Sequence, residues 1–565
     1  MDILLFNLIW VIPLLTVLVC IPIPASHAKL LRGLHTASAS AVLLMVCYLA
    51  YRVFMLSGTP ASDAASPLVL RFLTDIPWLT MFNAHYIVGA DGLNILLLAL
   101  TAFIVWGGVL VSYNIKGNQK VFFALIQLLA TSVYGVYMSF DLVLFFVFYE
   151  MEALCMYLMI ACYGSGRRDY GGKKLTLTLA FGSSMILATL FGLYFESGAN
   201  SWNLIEIAKT TIPMEFQMWA FPLMFMGFAV SSSLFPFHFW SPDGHSAAPT
   251  AVSMLAAGVM MKMGAYGCLR VAMFLMPEAA KVWLPYVVAL LIFNVVLGPF
   301  IALRHKDLKY ITAYSSISHL GLIFLGLAAM TPVGLRGASL QMISHGFLTG
   351  LFFATIGMIY ERTHTRDITE MGGIMRKMPF LGVGFVIAGF AGLGLPGFSG
   401  FIAESNIFIG AFQQESTLTR IVTILAILSI TTTAVYILQT ANRMLHGPLP
   451  QKYEGLTDGC FREKLVIVVL VACLLFIGVC PVRSPTCSTR ASHRYLQRFL
   501  RPPSPSPAGL EVNTCSISIF PALSYPTFSC SFSRSSSSGA GFSAVRNPRC
   551  PGASRTSGSS PYSCC

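Results

Sequence analysis

Residues 140–163 read FDLVLFFVFYEMEALCMYLMIACY, and this stretch decides the fold. It is long enough to cross a bilayer, because about 20 apolar residues span a hydrocarbon core of roughly 30 Å. Near its middle it nevertheless holds two acids, Glu150 and Glu152. A charge at that depth costs about 2.5–3.5 kcal/mol on insertion scales, so a retained one usually has a partner or a function. The stretch therefore predicts a membrane helix with functional acidic residues.

The rest of the chain shares this apolar character. Of its 565 residues, 56% are hydrophobic and only 10% are charged, whereas about 25% are charged in an ordinary soluble domain. This composition excludes a soluble globular enzyme, a disordered protein and a coiled coil. Repeated apolar runs of this length predict a polytopic helical membrane protein.

By the same length criterion, fourteen stretches are predicted to cross the membrane. They lie near residues 3–23, 30–56, 87–113, 119–138, 140–163, 175–197, 217–237, 249–276, 283–303, 310–330, 337–360, 378–413, 418–442 and 464–481. The seventh is interrupted at Pro236 and the twelfth at Pro396. Interrupted helices in corresponding positions are typical of repeated halves in transporters. The predicted fold is all-α, with about 14 transmembrane helices, two inverted five-helix repeats (helices 4–8 and 9–13) and breaks in helices 7 and 12.

The distribution of basic residues predicts the orientation. Lys and Arg are concentrated in the loops that follow odd-numbered spans, so that face is expected to be the cytoplasm or its matrix or stroma equivalent. No loop between spans exceeds about 30 residues. Because this leaves no room for a soluble catalytic domain, the function is expected to lie among polar groups inside the membrane.

Residues 481–565 have a different composition. They are rich in Ser, and their nine Arg and one acid, Glu511, supply +8 of the net charge of +13 (nine minus one). Such a segment cannot bury enough apolar surface to fold, so it is predicted to be a disordered tail, interpreted as frameshifted or misjoined. A basic interaction tail is the alternative. Because the excess charge lies there, no nucleic-acid partner is expected.

Five ionisable residues inside predicted spans are the candidate functional residues. Glu150 lies in helix 5, and its carboxyl could carry protons. Lys262 lies in the middle of helix 8, too deep for its ammonium to reach either surface easily. A static ion pair or a hydrogen-bonded carboxyl is the structural alternative for each. Glu152 points about 200° away from Glu150 around the helix, and either a functional or a structural role is open for it.

The other three candidates lie in later spans. His319 and His345 occupy successive apolar helices, each beside Ser residues, and histidine titrates near physiological pH. A lone buried His is more often a satisfied core residue, which remains the alternative for both. Glu404 follows the break at Pro396, where interrupted membrane helices line cavities or are covered by protein.

No cofactor or metal site is predicted in this chain. The eight Cys before residue 481 contain no CxxC pair, so neither zinc nor an iron–sulfur cluster is expected. Gly392, Gly394 and Gly397 fit G-x-G-x-x-G, but this pattern binds dinucleotides only between a strand and a helix. Here it surrounds Pro396 in an apolar membrane segment, so the nucleotide interpretation is rejected.

Several separate motifs occur along residues 1–480. They are Ala90-Asp91-Gly92-Leu93-Asn94, Tyr149-Glu150, Pro236-Phe237-His238, Asp243 to Thr250, Asp307-Leu308-Lys309, Tyr314 to His319, Tyr360 to Asp367, Met371-Gly372-Gly373 and Leu395-Pro396-Gly397-Phe398. In these motifs and their order, the chain resembles the antiporter-like membrane subunits of respiratory complex I, and most of all the subunit 4 (chain M) type of NADH-quinone oxidoreductase.

The resemblance implies a proton-translocating subunit without a redox centre, which is part of an NADH:quinone oxidoreductase. Electron transfer from NADH to quinone in partner subunits would drive the protons, and NADH, flavin, iron–sulfur clusters and quinone are expected there. The family's helix-5 glutamate falls on Glu150, its helix-8 lysine on Lys262 and its helix-12 acid on Glu404. His319 and His345 fall on the central polar axis. The partners implied are other complex I membrane subunits, the lipid bilayer and protons.

The same resemblance suggests how the chain is divided and where it resides. Residues 1–118 are predicted to form helices 1–3, residues 119–442 the proton-translocating core, and residues 443–480 a loop and a truncated last helix, followed by the tail at 481–565. The expected location is an energy-transducing membrane, in the first place the bacterial plasma membrane, with many passes across it.

One departure from the family lies in helix 7. The family places a lysine five residues before the proline that matches Pro236, but this chain has Ser231 there. This departure makes a scaffold that has lost pumping one alternative to a proton-pumping complex I subunit. Two others stay open as well: a cation/proton antiporter or membrane-bound hydrogenase subunit, and a polytopic transferase that uses Asp243 and His245.

Overall fold

The computed structural model describes residues 1–56, 68 and 70–480, which form a bundle of long apolar helices. Its first ten helices are α1 Asp2–Cys20, α2 Ala28–Leu56, α3 Asn94–Val111, α4 Gln119–Met138, α5 Leu142–Tyr163, α6 Arg168–Glu196, α7 Leu204–Ile207, α8 Met214–Ser231, α9 Trp240–Ala247 and α10 Thr250–Leu255. The other nine are α11 Met261–Gly267, α12 Pro277–Ile292, α13 Gly298–Arg304, α14 Leu308–Ala328, α15 Pro332–Thr363, α16 Pro379–Gly392, α17 Ser399–Phe412, α18 Thr417–Leu445 and α19 Phe461–Val479.

Shorter elements connect these helices. Single 3₁₀ turns lie at Thr80–Phe82, Ser112–Asn114, Phe237–Phe239, Ile374–Arg376 and Gln451–Tyr453. Three π turns lie at Ala256–Met260, Cys268–Met273 and Phe293–Leu297. The first joins α10 to α11 and the second extends α11, so that one continuous helix covers Thr250–Met273, and the third joins α12 to α13.

Within the described residues, eleven helices are long and apolar enough to cross a membrane. The chain is therefore a multi-pass helical membrane protein, as its sequence predicts. The other three predicted spans are present as helices that are shorter or more polar: α8 carries Glu215 and Gln217, the twelfth is divided into α16 and α17, and α19 begins with charged residues. The count of fourteen stays a prediction.

A β-hairpin precedes the third membrane helix, and the sequence did not predict it. Strand β1, Arg71–Leu79, pairs with antiparallel strand β2, Ala84–Ala90. The predicted span at 87–113 therefore begins too early. The helix starts only at Asn94, because Asp91 Oδ1 accepts the backbone N–H groups of Leu93 and Asn94 at 2.9 and 2.8 Å and so ends the strand in a turn.

Both predicted helix breaks are present. At the first, side chains form hydrogen bonds with backbone N–H and C=O groups. Between α8 and α9, the Trp240 indole N–H donates to the Val230 carbonyl at 2.8 Å, and Asn294 Oδ1 accepts the Phe235 N–H at 2.9 Å. In the second break, between α16 and α17, Gly394 has a φ of +62°. Backbone at membrane depth tolerates such breaks only where protein satisfies its polar groups.

The order of elements repeats along the chain, in agreement with the predicted five-helix repeats. In each half the second helix begins at a capping aspartate, Asp141 for α5 and Asp307 for α14. Asp141 forms an isolated β-bridge with Asn203, and Asp307 forms one with Asp367. A broken helix follows each bridge. With five crossings in each half, as the sequence predicts, the second half would be inverted relative to the first.

Three helices form the buried centre of the bundle. The continuous helix Thr250–Met273, α14 and α15 are buried along nearly their whole length, whereas α1 and α2 are mostly exposed. The centre is therefore where a charged side chain is shielded from both water and lipid. The predicted domain boundaries remain predictions, and the predicted disordered tail at 481–565 lies outside the described residues.

Candidate functional site

The structure buries Lys262 completely at the centre of the bundle. Its exposed fraction is 0%, and its side chain follows the π turn Ala256–Met260. The ammonium group donates a hydrogen bond to the Ala257 carbonyl oxygen of that turn. Burial of an ammonium is costly unless it is paired or hydrogen-bonded, so this carbonyl partly offsets the cost of placing a lysine here.

Three polar side chains, two of them predicted from the sequence, meet where α14, α15 and α17 pack together. His319 Nδ1 lies 3.4 Å from Glu404 Oε1. Gln341 Nε2 lies 3.2 Å from each of these two atoms, and it donates to the carboxylate oxygen. All three residues are buried. The structure thus brings His319 and Glu404 together, and Gln341, which the sequence analysis did not single out, links them.

The break in the twelfth span makes room for the Glu404 carboxylate. A Cβ atom built on Gly394 would lie 2.6 Å from Glu404 Oε2. Gly394 also has a positive φ, a conformation that L side chains rarely adopt. Glycine is therefore required at this position for two reasons, the backbone conformation and the close approach of the Glu404 carboxylate.

His345 continues the line of polar groups from His319. The two imidazole rings lie 5.0 Å apart between centroids, and His345 is fully buried. Neither ring nitrogen of His345 has a hydrogen-bond partner among the described residues. Lys262 lies within electrostatic range of this ring. Four of the five predicted residues, Lys262, His345, His319 and Glu404, therefore form one buried polar series.

Glu150 lies apart from that series. It is half-buried on α5, with its carboxyl beside the Ser183 hydroxyl of α6, and its Oε1 atom has no hydrogen-bond partner among the described residues. The second acid of the helix, Glu152, is 3% exposed and faces the inside of the bundle. The geometry confirms that the two carboxyls lie on different faces of α5.

Ser231, at the position of the family lysine, occupies a tightly packed site. Its hydroxyl donates to the Phe228 carbonyl at 3.0 Å and lies beside Tyr149. A Cβ built on Gly264 would clash with the same hydroxyl. The described part of α8 places no cation near the acids of α5.

The sequence analysis missed two buried basic residues. Arg270 lies in the same apolar run as Lys262 and forms a 2.5 Å ion pair with Asp91, both nearly fully buried. Lys309, read as a loop residue, is buried at the start of α14, where its ammonium donates to the Ala248 carbonyl at 2.5 Å. The sequence did offer a signal for Arg270, because a charge within an apolar run stands out. It offered no signal for the burial of Lys309.

The residues proposed for a transferase do not form an open catalytic site. His245 is buried, with an exposed fraction of 1%. Asp243 is instead bound by the Lys174 ammonium at 2.5 Å and by the Tyr310 hydroxyl at 2.7 Å. In the described ranges, no group of three His, Cys, Asp or Glu side chains is arranged to hold a metal ion.

The chain is similar in sequence to known membrane proteins. Residues 139–431 match the family described as NADH:quinone oxidoreductase/Mrp antiporter, TM. The chain is also similar to NAD(P)H-quinone oxidoreductase chain 4 of Gloeobacter violaceus, with 32% identity over 505 residues, which are 87% of this chain and 95% of that protein.

Solved structures show the same fold. A chain of respiratory complex I from Thermus thermophilus with bound NADH is 26% identical, with a TM-score of 0.78 over 88% of this chain and 100% of that one. A chain of the Mrp complex from Dietzia sp. is 18% identical, with a TM-score of 0.75 over 88% of this chain and 99% of that one. At that identity the second likeness shows the fold alone.

Proposed function

This chain belongs to the NADH:quinone oxidoreductase/Mrp antiporter membrane family, and we propose that it is a proton-translocating membrane subunit of an NADH-quinone oxidoreductase. The Gloeobacter violaceus relative is named as chain 4 of such an enzyme. The alternative, a subunit of a cation/proton antiporter or of a hydrogenase module, has weaker support, because the Mrp structure shares the fold at only 18% identity.

The buried polar series is the observation that carries this proposal. Lys262, His345, His319 and Glu404 lie in successive contact or electrostatic range at the centre of the bundle. Such groups are expensive to keep inside a membrane and are typical of proton relays. In the proposed route, protons enter near Glu150, cross by way of Lys262, His345 and His319, and leave from Glu404.

The enzyme activity belongs to the assembly. This chain contributes proton transfer as a non-redox subunit, and NADH, flavin, iron–sulfur clusters and quinone are bound by partner subunits. Its partners are the other membrane subunits of the complex and the lipid bilayer, and the bacterial plasma membrane is its proposed location. The buried series needs no bound cofactor, because its amine, imidazole and carboxyl groups can themselves accept and release protons.

The experiment is proton pumping by membrane vesicles that contain the assembled complex with Glu150→Gln or Lys262→Ala. Each variant is expected to lower the number of protons moved per NADH oxidised, because each removes a titrating group from the route. Assembly is checked by native gel. Two variants that assemble and pump at the wild-type stoichiometry would refute the proposed function.

A further inference from the structure

The Gln341 amide touches both groups between which the proposed route passes its last proton. Gln341 is 1% exposed, and His319 and Glu404 are each 5% exposed. The Gln341 Nε2 atom lies 3.2 Å from Glu404 Oε1 and 3.2 Å from His319 Nδ1, and those two atoms are 3.4 Å apart. The three atoms therefore form a nearly equilateral triangle inside the packed bundle.

The chemistry of an amide limits what this triangle can hold. An amide nitrogen only donates, so each of its contacts requires a lone pair on the other atom. The Glu404 carboxylate provides one at Oε1, and His319 provides one at Nδ1 only while that nitrogen carries no proton. The two N–H bonds of one amide diverge too widely to point at both corners of so small a triangle. One N–H group is therefore shared between the carboxylate and the imidazole, or binds one of them at a time.

The other end of the amide is not anchored. Gln341 Oε1 is buried and has no hydrogen-bond partner in the described part of the chain. Over the same residues, the Glu404 carboxylate accepts one hydrogen bond, which comes from Gln341. A buried carbonyl oxygen without a partner is costly, and an apolar side chain could fill the same space without that cost. The amide is thus held by His319 and Glu404 alone, and its N–H can shift between them.

Close packing of α15 against α17 brings the amide within reach of the acid. A Cβ atom built on Gly337, one turn before Gln341, would lie 2.5 Å from the Ile407 nitrogen of α17. One turn after Gln341, the Ser344 hydroxyl lies 2.7 Å from the Ser399 hydroxyl. Small residues let membrane helices approach closely. The backbone on both sides of Gln341 is therefore fixed against α17, and only the side chain can move.

From this geometry we propose that Gln341 is the positioning residue for proton transfer between His319 and Glu404. Before the transfer, His319 carries a proton on each ring nitrogen, and the amide N–H binds the Glu404 carboxylate. The Nδ1–H bond then breaks as the Oε1–H bond forms. This leaves a neutral imidazole with its proton on Nε2, and a neutral carboxyl. The amide N–H moves to the lone pair now free at Nδ1. This inference rests on the proposed function.

The amide donor thus follows the atom that lacks the transferred proton. In either state the other atom of the pair donates across the 3.4 Å gap between Nδ1 and Oε1, which closes to an ordinary hydrogen-bond distance. A buried acceptor without a donor would raise the free energy of the state in which it occurs. Because Gln341 supplies that donor in both states, it brings their free energies closer together and speeds the transfer.

The test measures the initial rate of NADH-driven proton pumping by vesicles that contain the assembled complex. Methionine has nearly the length of glutamine but no donor, so Gln341→Met is expected to pump about tenfold more slowly, as for the loss of one hydrogen bond to a charged group. Gln127→Met is the matched control, because Gln127 is also fully buried in a membrane helix, with an Oε1 atom that has no partner among the described residues. It is expected to pump at the wild-type rate.

Infrared difference spectra, recorded while NADH is oxidised, separate positioning from a merely structural role. The C–N stretching band of neutral histidine differs between the Nδ1–H and Nε2–H tautomers, and the His319 component is the part that His319→Asn removes. This component is expected to show the Nε2–H tautomer in the wild type and in Gln127→Met. In assembled Gln341→Met it is expected to shift toward the Nδ1–H tautomer, because no donor then faces Nδ1.

This inference fails if Gln341→Met pumps at the wild-type rate, or if Gln127→Met loses as much, since any buried amide would then have the same effect. The proposed function still stands in either case if Glu150→Gln and Lys262→Ala lower pumping, and it fails if those two variants pump normally. Should Gln341→Met not assemble, Gln341→Asn takes its place with the same expected results, because its amide is one carbon too short to reach the pair.

Discussion

The two halves of the core share a frame but hold different chemistry. In the second half the acid of the broken helix, Glu404, is bound by Gln341 and lies 3.4 Å from His319. In the first half the corresponding broken helix, α8, ends at the hydroxyl of Ser231, and the buried acid Glu152 lies on α5 instead. A capping aspartate and an isolated β-bridge occur in both halves, so the difference comes from individual side chains.

This difference teaches how a repeated membrane fold can specialise. The position of the helices depends on apolar length, capping aspartates and the two breaks, and of these the second break also contacts the ionisable centre, where Gly394 lies against Glu404. The chemistry depends on which buried group has a partner. In the second half a carboxylate is satisfied by hydrogen bonds, whereas in the first half Glu152 keeps an oxygen without a partner in the described part of the chain.

The largest effect that would test this comparison is expected for Glu404→Ala. Removing the acceptor of a buried donor costs about 1–3 kcal/mol, and more where a charged group is involved, and here it leaves Gln341 without its acceptor and His319 without its neighbour. We expect a free energy of unfolding lower by that amount, measured on the solubilised chain, together with lost pumping. Glu415→Ala, which removes an exposed acid, is the control. An equal loss in both variants would contradict the paired centre.

A somewhat smaller effect is expected for Ser231→Lys, which places the family lysine in the first half. The site is closely packed against Gly264, so the added ammonium would be buried where there is little space for it. An unpaired lysine in a membrane helix costs about 2.5–3.5 kcal/mol on insertion scales. We expect less assembled complex by native gel. Ser231→Ala is the control, and it loses one hydrogen bond of about 0.5–1.5 kcal/mol.

The opposite result for Ser231→Lys would change the comparison. A variant that assembles normally and moves more protons per NADH would show that the first half keeps the family's geometry and lacks only the cation. In that case the serine would impair an otherwise intact relay, and the two halves would differ less than their contacts indicate.

The smallest effects are expected at the shared frame. Replacement of a capping Asp by Ala costs about 0.5–2 kcal/mol, so Asp141→Ala and Asp307→Ala should each lower the free energy of unfolding by about that much. Asp141→Ala should cost more, because the buried Asp141 carboxylate accepts three backbone N–H groups, including that of His85 at 3.0 Å, whereas the more exposed Asp307 accepts one and pairs with Arg366. Asn at either position, which caps equally well, is the control. The opposite order of the two losses in free energy of unfolding would contradict this comparison of the two halves.

Much of the architecture was predictable because its causes are local. Apolar runs of membrane length, and prolines within two of them, predicted a multi-pass helical protein with breaks at Pro236 and Pro396. The same reasoning singled out Lys262, since a charge inside an apolar run stands out in any sequence. It failed for the hairpin at residues 71–90, where pairing between two strands overrides an apolar pattern that was read as the start of a helix.

The candidate site was predictable only as a set of residue types. Gln341 was missed because an amide in a helix is unremarkable until the acid it binds, on another helix, is known. For the two acids of α5, the sequence shows that they face apart but not which one faces inward. That choice depends on how α4, α6 and the central helix pack around α5.

By itself the sequence determined that this chain crosses a membrane many times, where two of its helices break, and that ionisable groups are kept at depth. These follow from hydrophobic length and backbone chemistry, which act over a few neighbouring residues. Only the tertiary structure decided that His319 meets Glu404, that Gln341 joins the two, and that Glu152 rather than Glu150 faces the core. Such contacts join residues distant in sequence, so their geometry is fixed only when the helices pack.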